Sequence, residues 1–301
     1  MEEKVSAGRI QRVEIARPTG FCFGVRRAVE KLENALREPG VVHGIGSPIH
    51  NPQEIERLRK MGLVLVDSPE DVPNGGVAFI RAHGAPRRTA PELEQRGVRV
   101  IDGTCPFVET AQDRAGKLSR EGYTVVILGD VRHPEVQAIR ESVEGPVSVA
   151  GPGEMPFLEP GVLRVGVVSQ TTQKRKSLER LTARLAGAVE ELRVYNTICG
   201  ATAARQRAVA DMAGRLDGII VIGGKNSANT GKLVEIARAA GAPVLWIEQP
   251  SEIDRGWLEN RETVGIAAGA STPEWLIHQL QHMLLPTKGV KEDGRENDGC
   301  E

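Results

Sequence analysis

Aromatic residues make up only 3% of this chain, so its core cannot rest on stacked rings and has to be aliphatic, drawn from Val, Ile, Leu and Ala within a hydrophobic content of 40%. Cores of that kind favour parallel α/β layers. An excess of either charge is also missing. The 39 basic and 40 acidic residues leave a net charge of −1, and no Lys- or Arg-rich run stands out. This excludes the basic footprint of a nucleic-acid or anionic-membrane binder and leaves a small molecule as the expected ligand. No apolar stretch approaches the roughly 20 residues that span a bilayer, and the start Met1-Glu2-Glu3-Lys4 lacks the apolar segment of a secretory signal. A cytoplasmic location is expected. There is no Cys-x-x-Cys pair among the cysteines at 22, 105, 199 and 300, so zinc-ribbon and thioredoxin motifs are excluded, and a disulfide framework does not suit a reducing compartment.

What is present is an alternation of short apolar runs, glycine loops and helical patterns over 301 residues, the reading expected of two or three α/β units. Candidate strands include 12–16, 63–66, 77–80, 98–101, 125–128, 163–168, 218–222, 243–247 and 264–267. Polar loops follow several of these and other, less regular runs. They are 47–51, 81–84, 129–135, 169–172, 223–229 and 269–272, two in each third of the chain. Ligands of open parallel sheets bind where strand ends meet helix N-termini, so six such loops offer six walls for one central site.

Cys22, Cys105 and Cys199 each lie in a small-residue turn before a helical pattern: Gly20-Phe21-Cys22-Phe23-Gly24, Gly103-Thr104-Cys105-Pro106 and Ile198-Cys199-Gly200-Ala201-Thr202. They are 83 and 94 residues apart, close to one per α/β unit, which points to three similar lobes around a common centre. The expected division is 10–103, 104–197 and 198–286, with the N-terminal strand free to pack on another lobe and disordered tails at 1–9 and 287–301. Cys300 falls in the second tail and is expected to be a dispensable thiol.

Taken singly, each of the three turn cysteines is better explained as a small buried hydrophobe. Their shared placement argues for ligands, because a thiol at a helix N-terminus is biased toward thiolate. Three thiolates suit either a catalytic zinc with an open position or a four-iron cluster with one unprotected iron, and spacing does not separate the two. Two glycine-rich lures fail. Gly223-Gly224-Lys225-Asn226-Ser227 lacks Walker spacing, and Gly44-Ile45-Gly46-Ser47-Pro48-Ile49 lacks the third glycine of a dinucleotide fingerprint.

Further segments, in order, are Gly20-Phe21-Cys22-Phe23-Gly24-Val25, Ile49-His50-Asn51, Ala82-His83-Gly84, Asp102-Gly103-Thr104-Cys105-Pro106, His133-Pro134-Glu135-Val136, Gln170-Thr171-Thr172, Lys225-Asn226-Ser227 and Ala268-Gly269-Ala270-Ser271. Through these the chain resembles the LytB (IspH) family of 4-hydroxy-3-methylbut-2-enyl diphosphate reductases over nearly all of residues 12–286. The resemblance implies three similar α/β lobes with mostly parallel sheets, arranged pseudo-three-fold around a central [4Fe–4S] cluster, which air would degrade to [3Fe–4S]. It implies reductive loss of the substrate's allylic hydroxyl at the open iron, giving isopentenyl and dimethylallyl diphosphate in the last step of the non-mevalonate isoprenoid pathway. A ferredoxin or flavodoxin is implied as electron donor.

By the same resemblance Cys22, Cys105 and Cys199 hold the cluster, and Glu135 supplies protons. Thr171 positions the reacting oxygen and Glu135. His50 and His83 contact the diphosphate, and His133 lies near both the diphosphate and the hydroxyl. Ser227, Asn229 and Ser271 hold the diphosphate as neutral donors, with help from Thr202. The family often has Ser where this chain has Ala228, whose backbone N–H still offers a donor, so a modest change in binding and no loss of activity is expected. His43, His278 and His282 receive no role. Glu135, Thr171, Ser227 and Ser271 are also natural helix-start and capping residues, since capping and anion binding use the same groups. Two rival functions remain at this level: a zinc hydrolase or lyase with Glu135 as base, and a redox-sensing or ligand-binding protein without catalysis.

Overall fold

The computed structural model describes residues 10–285; the expected tails, with Cys300, lie outside the described residues, as does the side chain of Ala228. The chain opens with a strand, β1 (Arg12–Ile15), and a helix, α1 (Phe23–Leu36). A first repeating unit follows as β2 (Val42–Ile45), α2 (Pro52–Lys60), β3 (Leu63–Val66), β4 (Val77–Ile80), α3 (Thr89–Gln95) and β5 (Arg99–Asp102). The second is α4 (Pro106–Arg120), β6 (Thr124–Leu128), α5 (Pro134–Arg140), β7 (Val147–Ala150), β8 (Arg164–Ser169), α6 (Arg175–Ala186) and β9 (Glu191–Val194). The third is α7 (Gly200–Ala213), β10 (Gly218–Ile222), α8 (Ala228–Ala239), β11 (Val244–Ile247), α9 (Arg255–Leu258), β12 (Thr263–Ala268) and α10 (Glu274–Leu284).

Local sequence accounts for these elements. Helix α1 buries Ala28, Val29, Leu32, Ala35 and Leu36, the spacing of one apolar stripe on a 3.6-residue period. Asn51 caps α2 by accepting the Glu54 N–H, Pro52 opens its first turn, and Arg57, Arg59 and Lys60 close its last against the helix dipole. Strand β10 is buried at all five positions, as a central parallel strand covered on both faces must be.

Three four-stranded parallel sheets result, ordered β3-β2-β4-β5, β7-β6-β8-β9 and β1-β12-β10-β11. All three share one pattern. The first and third strands of each unit are the central pair, the second lies at one edge, and a fourth strand lies beside the third. In the last sheet the fourth place is taken by β1, which pairs with β12 from Arg12↔Thr263 to Ile15↔Ile266. The chain's N-terminal strand therefore completes the sheet built from its C-terminal unit. Each fourth strand then feeds a helix that packs on a different sheet: α4 after β5 lies on β6 and β8, α7 after β9 lies on β10 and β12, and α1 after β1 lies on β5. The three lobes are thus linked in a closed ring.

The core is aliphatic, with Tyr123 and Phe79 as its largest fully buried side chains. All three sheets show a separate buried cluster on each face, led by Val209, Ile219 and Val221 opposite Ile220, Val264 and Ile266, by Val125 and Ile127 opposite Val126 and Val167, and by Val42, Leu63 and Phe79 opposite Ala78, Leu93 and Val98. Strands β2, β7 and β9 go beyond the nine candidates read from sequence. The last two are edge strands whose residues are mostly half-exposed, and β2 carries His43 and Gly44, so none forms a continuous apolar run. A Cβ on Gly44 would stand 3.0 Å from Leu63 Cδ1 on the neighbouring strand, so a larger residue there would require that side chain to shift.

Ile266, fully buried in β12 between β1 and β10, should be among the costly positions. Ile266→Ala is expected to lower the unfolding free energy by about 2–5 kcal/mol. Val64→Ala, at a position 43% exposed, should change it by less than about 1 kcal/mol. Urea denaturation of the two variants measures both.

Candidate functional site

The six polar loops all follow the two central strands of a sheet, β2 and β4, β6 and β8, or β10 and β12. These are the points where successive connections leave in opposite directions, the usual place for a ligand in an open α/β sheet. Here three such points face one another and enclose a cavity of about 260 Å³. Its wall includes Cys22, Cys105, Cys199, His50, His83, His133, Glu135, Thr171, Thr202, Ser227, Asn229 and Ser271. The lobes meet closely: a Cβ on Gly224 would stand 2.5 Å from the carbonyl oxygen of His50, in a different sheet's loop.

The cysteines occupy equivalent places. Each is the N-cap of the helix that follows a fourth strand: Cys22 of α1, Cys105 of α4 and Cys199 of α7. Each also donates its backbone N–H to the loop after the third strand of its own sheet. Cys105 bonds to the Ala82 carbonyl at 3.0 Å, Cys199 to that of Thr171 at 2.8 Å, and Cys22 to that of Ala270 at 3.2 Å. The backbone of each cysteine is thereby held at or next to a cavity-lining polar residue, His83, Thr171 or Ser271. Gly24 permits the approach of the first two, because a Cβ there would overlap the Cys105 sulfur.

The expected thiolate bias does not hold for Cys105. Burial pushes its thiol up, the N–H groups of Phe107 and Val108 pull it back, and the neighbouring Cys22 and Cys199 push it up again. Desolvation outweighs the helix terminus at this position. Among the described residues no group of three or more His, Cys, Asp or Glu side chains is gathered closely enough to hold a single metal ion.

At another part of the wall three imidazoles form a row, His50 and His83 with centroids 5.4 Å apart and His83 and His133 at 5.2 Å, edge to face. Burial lowers all three below the ordinary imidazole value, and the nearby Arg81 guanidinium adds to this. His83 is lowered furthest, with His133 and His50 as further causes, and its Nδ1 is buried without a partner. The row is therefore neutral near pH 7, with the buried His83 Nδ1 unsatisfied at its centre. His133 caps α5 through Nδ1, which accepts the Glu135 N–H at 3.1 Å. That bond leaves the proton of the neutral ring on Nε2.

Glu135 is the buried acid of the site, 1% exposed. Its two oxygens accept the N–H of Thr171 at 2.6 Å and the Thr171 hydroxyl at 3.0 Å. Burial pushes its carboxyl up to about 7, the Thr171 bonds acting in the opposite direction. A carboxyl poised there can hold a proton and release it near neutrality. Ser227 caps α8 by accepting the Thr230 N–H at 3.4 Å and also lines the cavity. Ala228, whose side chain is outside the described residues, opens the same helix. His43 instead contacts the Val77 carbonyl at 3.2 Å, and neither His278 nor His282 lines the central cavity.

Two arginines escaped the sequence reading. Arg81 lies against Gly46 behind the histidine row. Arg205 lines the cavity and is 6% exposed. Its signal was available: with Val209, Met212 and Ala213 it forms the buried stripe of α7, and a charged residue on an apolar stripe is worth explaining.

Residues 13–285 match the family described as LytB protein. A 4-hydroxy-3-methylbut-2-enyl diphosphate reductase of Geobacter sulfurreducens is 42% identical over 268 residues, covering 89% of this chain and 95% of that protein. The solved structure of (E)-4-hydroxy-3-methyl-but-2-enyl diphosphate reductase, described as the terminal enzyme of the non-mevalonate pathway, is 38% identical with a TM-score of 0.74, covering 92% of this chain and all of that one. The Plasmodium falciparum E-1-hydroxy-2-methyl-but-2-enyl-4-diphosphate reductase shares the fold at 24% identity, with a TM-score of 0.80 over 91% of this chain and 88% of that one.

Glu135 gives a pH signature. Folded, it keeps its proton up to about pH 7; unfolded, it ionises near 4.5. The folded state binds the extra proton between these values, so the associated stability is complete below the lower one and lost as pH rises through the upper. The shift corresponds to about 3 kcal/mol at about 1.4 kcal/mol per unit. Between pH 4.5 and 7, the unfolding free energy of the parent protein should fall relative to that of Glu135→Gln by up to this amount. Parallel pH profiles for the two proteins would show an unperturbed carboxyl.

Proposed function

The chain belongs to the LytB protein family, and from that membership we propose that it reductively dehydroxylates 4-hydroxy-3-methylbut-2-enyl diphosphate to isopentenyl and dimethylallyl diphosphate, the terminal step of the non-mevalonate pathway. The reaction breaks the allylic C–O bond. It consumes two electrons and two protons and releases water. The observation that carries the reading is the enclosure, in one cavity, of three thiols, a protonatable buried carboxyl and a row of neutral imidazoles.

The donor set fits an iron–sulfur cluster better than one zinc ion. Three cysteines reach the cavity from three helix N-termini without converging on a single-ion position. The thiol of Cys105, raised by burial and by its neighbours, is one that a cationic group would stabilise as thiolate. Cys22, Cys105 and Cys199 would hold a [4Fe–4S] cluster, which supplies the electrons and an open iron as Lewis acid. Those electrons come from a carrier of ferredoxin or flavodoxin type in the cytoplasm, where thiolates persist.

The remaining residues bind, orient and protonate. The substrate's diphosphate needs many donors with little flexible charge. His50, His83, Thr202, Ser227, Asn229, Ser271 and the first-turn backbone at Ala228 supply them, and His133 offers its Nε2–H. Arrival of the anion supplies the counter-charge that burial denies the imidazoles, so it raises their proton affinity. Anchoring one end of the substrate confines the hydroxyl end near Thr171 and converts binding energy into orientation. The Thr171 hydroxyl, bonded to Glu135 Oε2, positions the leaving oxygen, and Glu135 delivers the proton that lets it depart as water.

Anaerobically purified protein is expected to be brown, with iron and sulfide in near-equal amounts, and to turn over the allylic diphosphate with an artificial reductant. Colourless protein with stoichiometric zinc would exclude the cluster. Glu135→Gln should keep the cluster's absorbance and lose roughly 10²- to 10⁴-fold in kcat, the usual worth of a positioned acid. Near-normal turnover in that variant would remove Glu135 from the mechanism.

A further inference from the structure

One buried charge at the site has no part in substrate binding or proton delivery. Arg205, in the second turn of α7, donates Nη1 to the Ala201 carbonyl at 3.1 Å and Nη2 to the Gly20 carbonyl at 2.9 Å, while its Nε is buried without a partner. Those two carbonyls flank the cysteines, Gly20 two residues before Cys22 and Ala201 two after Cys199. The guanidinium therefore ties together turns that are 185 residues apart from donor to acceptor.

Among the described residues no carboxylate pairs with it, Glu274 nearby being bonded to Arg26. The charges that act on Arg205 are Cys22 and Cys199, which favour its charged form, and Arg26, which opposes it together with burial, the dominant cause. A buried guanidinium served only by carbonyls is costly unless an anion shares its surroundings. Cys22 and Cys199 stand in that position, and as ligands of the cluster assigned above they would carry the negative charge. Arg205 also separates two spaces: it lines the central cavity and an outer cavity of about 650 Å³ that reaches Cys22 from the side of Arg17, Phe21 and Phe23. A fixed positive charge beside a cluster stabilises the reduced, more negative state over the oxidised one, and local charge, hydrogen bonding and exposure set such potentials.

We propose that Arg205 is a positioning residue that clamps the Cys22 and Cys199 turns together and places a buried positive charge beside the iron–sulfur cluster, holding its reduction potential up. The inference rests on the cluster assigned above. It separates two contributions of one side chain: the fork holds geometry, and the charge sets potential.

The test is an anaerobic potentiometric titration followed by EPR, with the rate of iron loss to a chelator, on the full chain and the variants Arg205→Gln and Arg205→Lys. In Arg205→Gln the midpoint potential should move to a more negative value and iron loss should accelerate several-fold. In Arg205→Lys the potential should stay at the parent value, because the charge remains, while iron loss still accelerates because the fork is gone. A cluster in Arg205→Gln at the parent potential, or in Arg205→Lys displaced as far as in Arg205→Gln, overturns the electrostatic role. If Arg205→Gln accumulates no cluster, Arg205→Lys decides: an unmoved potential supports the proposal and a negative shift overturns it. Parent protein without iron and sulfide would instead overturn the cluster reading, and with it this inference.

Discussion

The bond from each cysteine's backbone N–H to the neighbouring loop carbonyl is the constraint on which the site depends. It occurs three times, to Ala82, Thr171 and Ala270, each time where the chain leaves a fourth strand that runs parallel to the third. A parallel ladder fixes register through evenly spaced bonds, so the residue leaving the fourth strand has little freedom in where it emerges. The cysteine then caps a helix that belongs to a different lobe. The three thiols are thereby placed at the joints of the ring, where each lobe meets the next.

Closing the ring requires the first strand to find the last sheet. Strand β1 pairs with β12 across most of the chain's length, and without that pairing Cys22 would have no fixed place relative to the other two cysteines. Arg205 reinforces the same joint through the Gly20 carbonyl. Contacts of such sequence separation form late, since the loop-closure entropy has to be met before they stabilise anything. The central cavity is accordingly a product of the completed fold, and no single lobe contains a whole site.

Burial is the dominant electrostatic effect inside that cavity. It raises Glu135 and Cys105 and lowers His50, His83 and His133, in every case disfavouring the charged form. Hydrogen bonds oppose it at Glu135 and Cys105 without overturning it. The imidazoles are thereby kept uncharged, while Arg205 sets a positive charge in the cavity wall and the His83 Nδ1 and Arg205 Nε stay unpaired. Such an arrangement has a plain chemical use. A polyanionic substrate supplies the missing charge, and a carboxyl that keeps its proton near neutrality can give it to a departing oxygen.

Much of this was legible beforehand. Strands such as 125–128 and 218–222 announce themselves because they are buried on both faces and so are continuously apolar, whereas β7 and β9, on sheet edges, carry no such run. The polar loops were legible because glycine, histidine and hydroxyl residues interrupt apolar runs. Cysteine placement at small-residue turns gave the three-part organisation, and the ordered motifs gave the family. Sequence alone therefore determined fold class, family and the inventory of polar groups, since these depend on local periodicity and residue type. Tertiary structure decided the rest: that β1 completes the last sheet, that Arg205 bridges two cysteine turns, and that burial overrides the helix terminus at Cys105. Those outcomes depend on which distant segments share a low-dielectric space, and neither spacing nor composition encodes that distance.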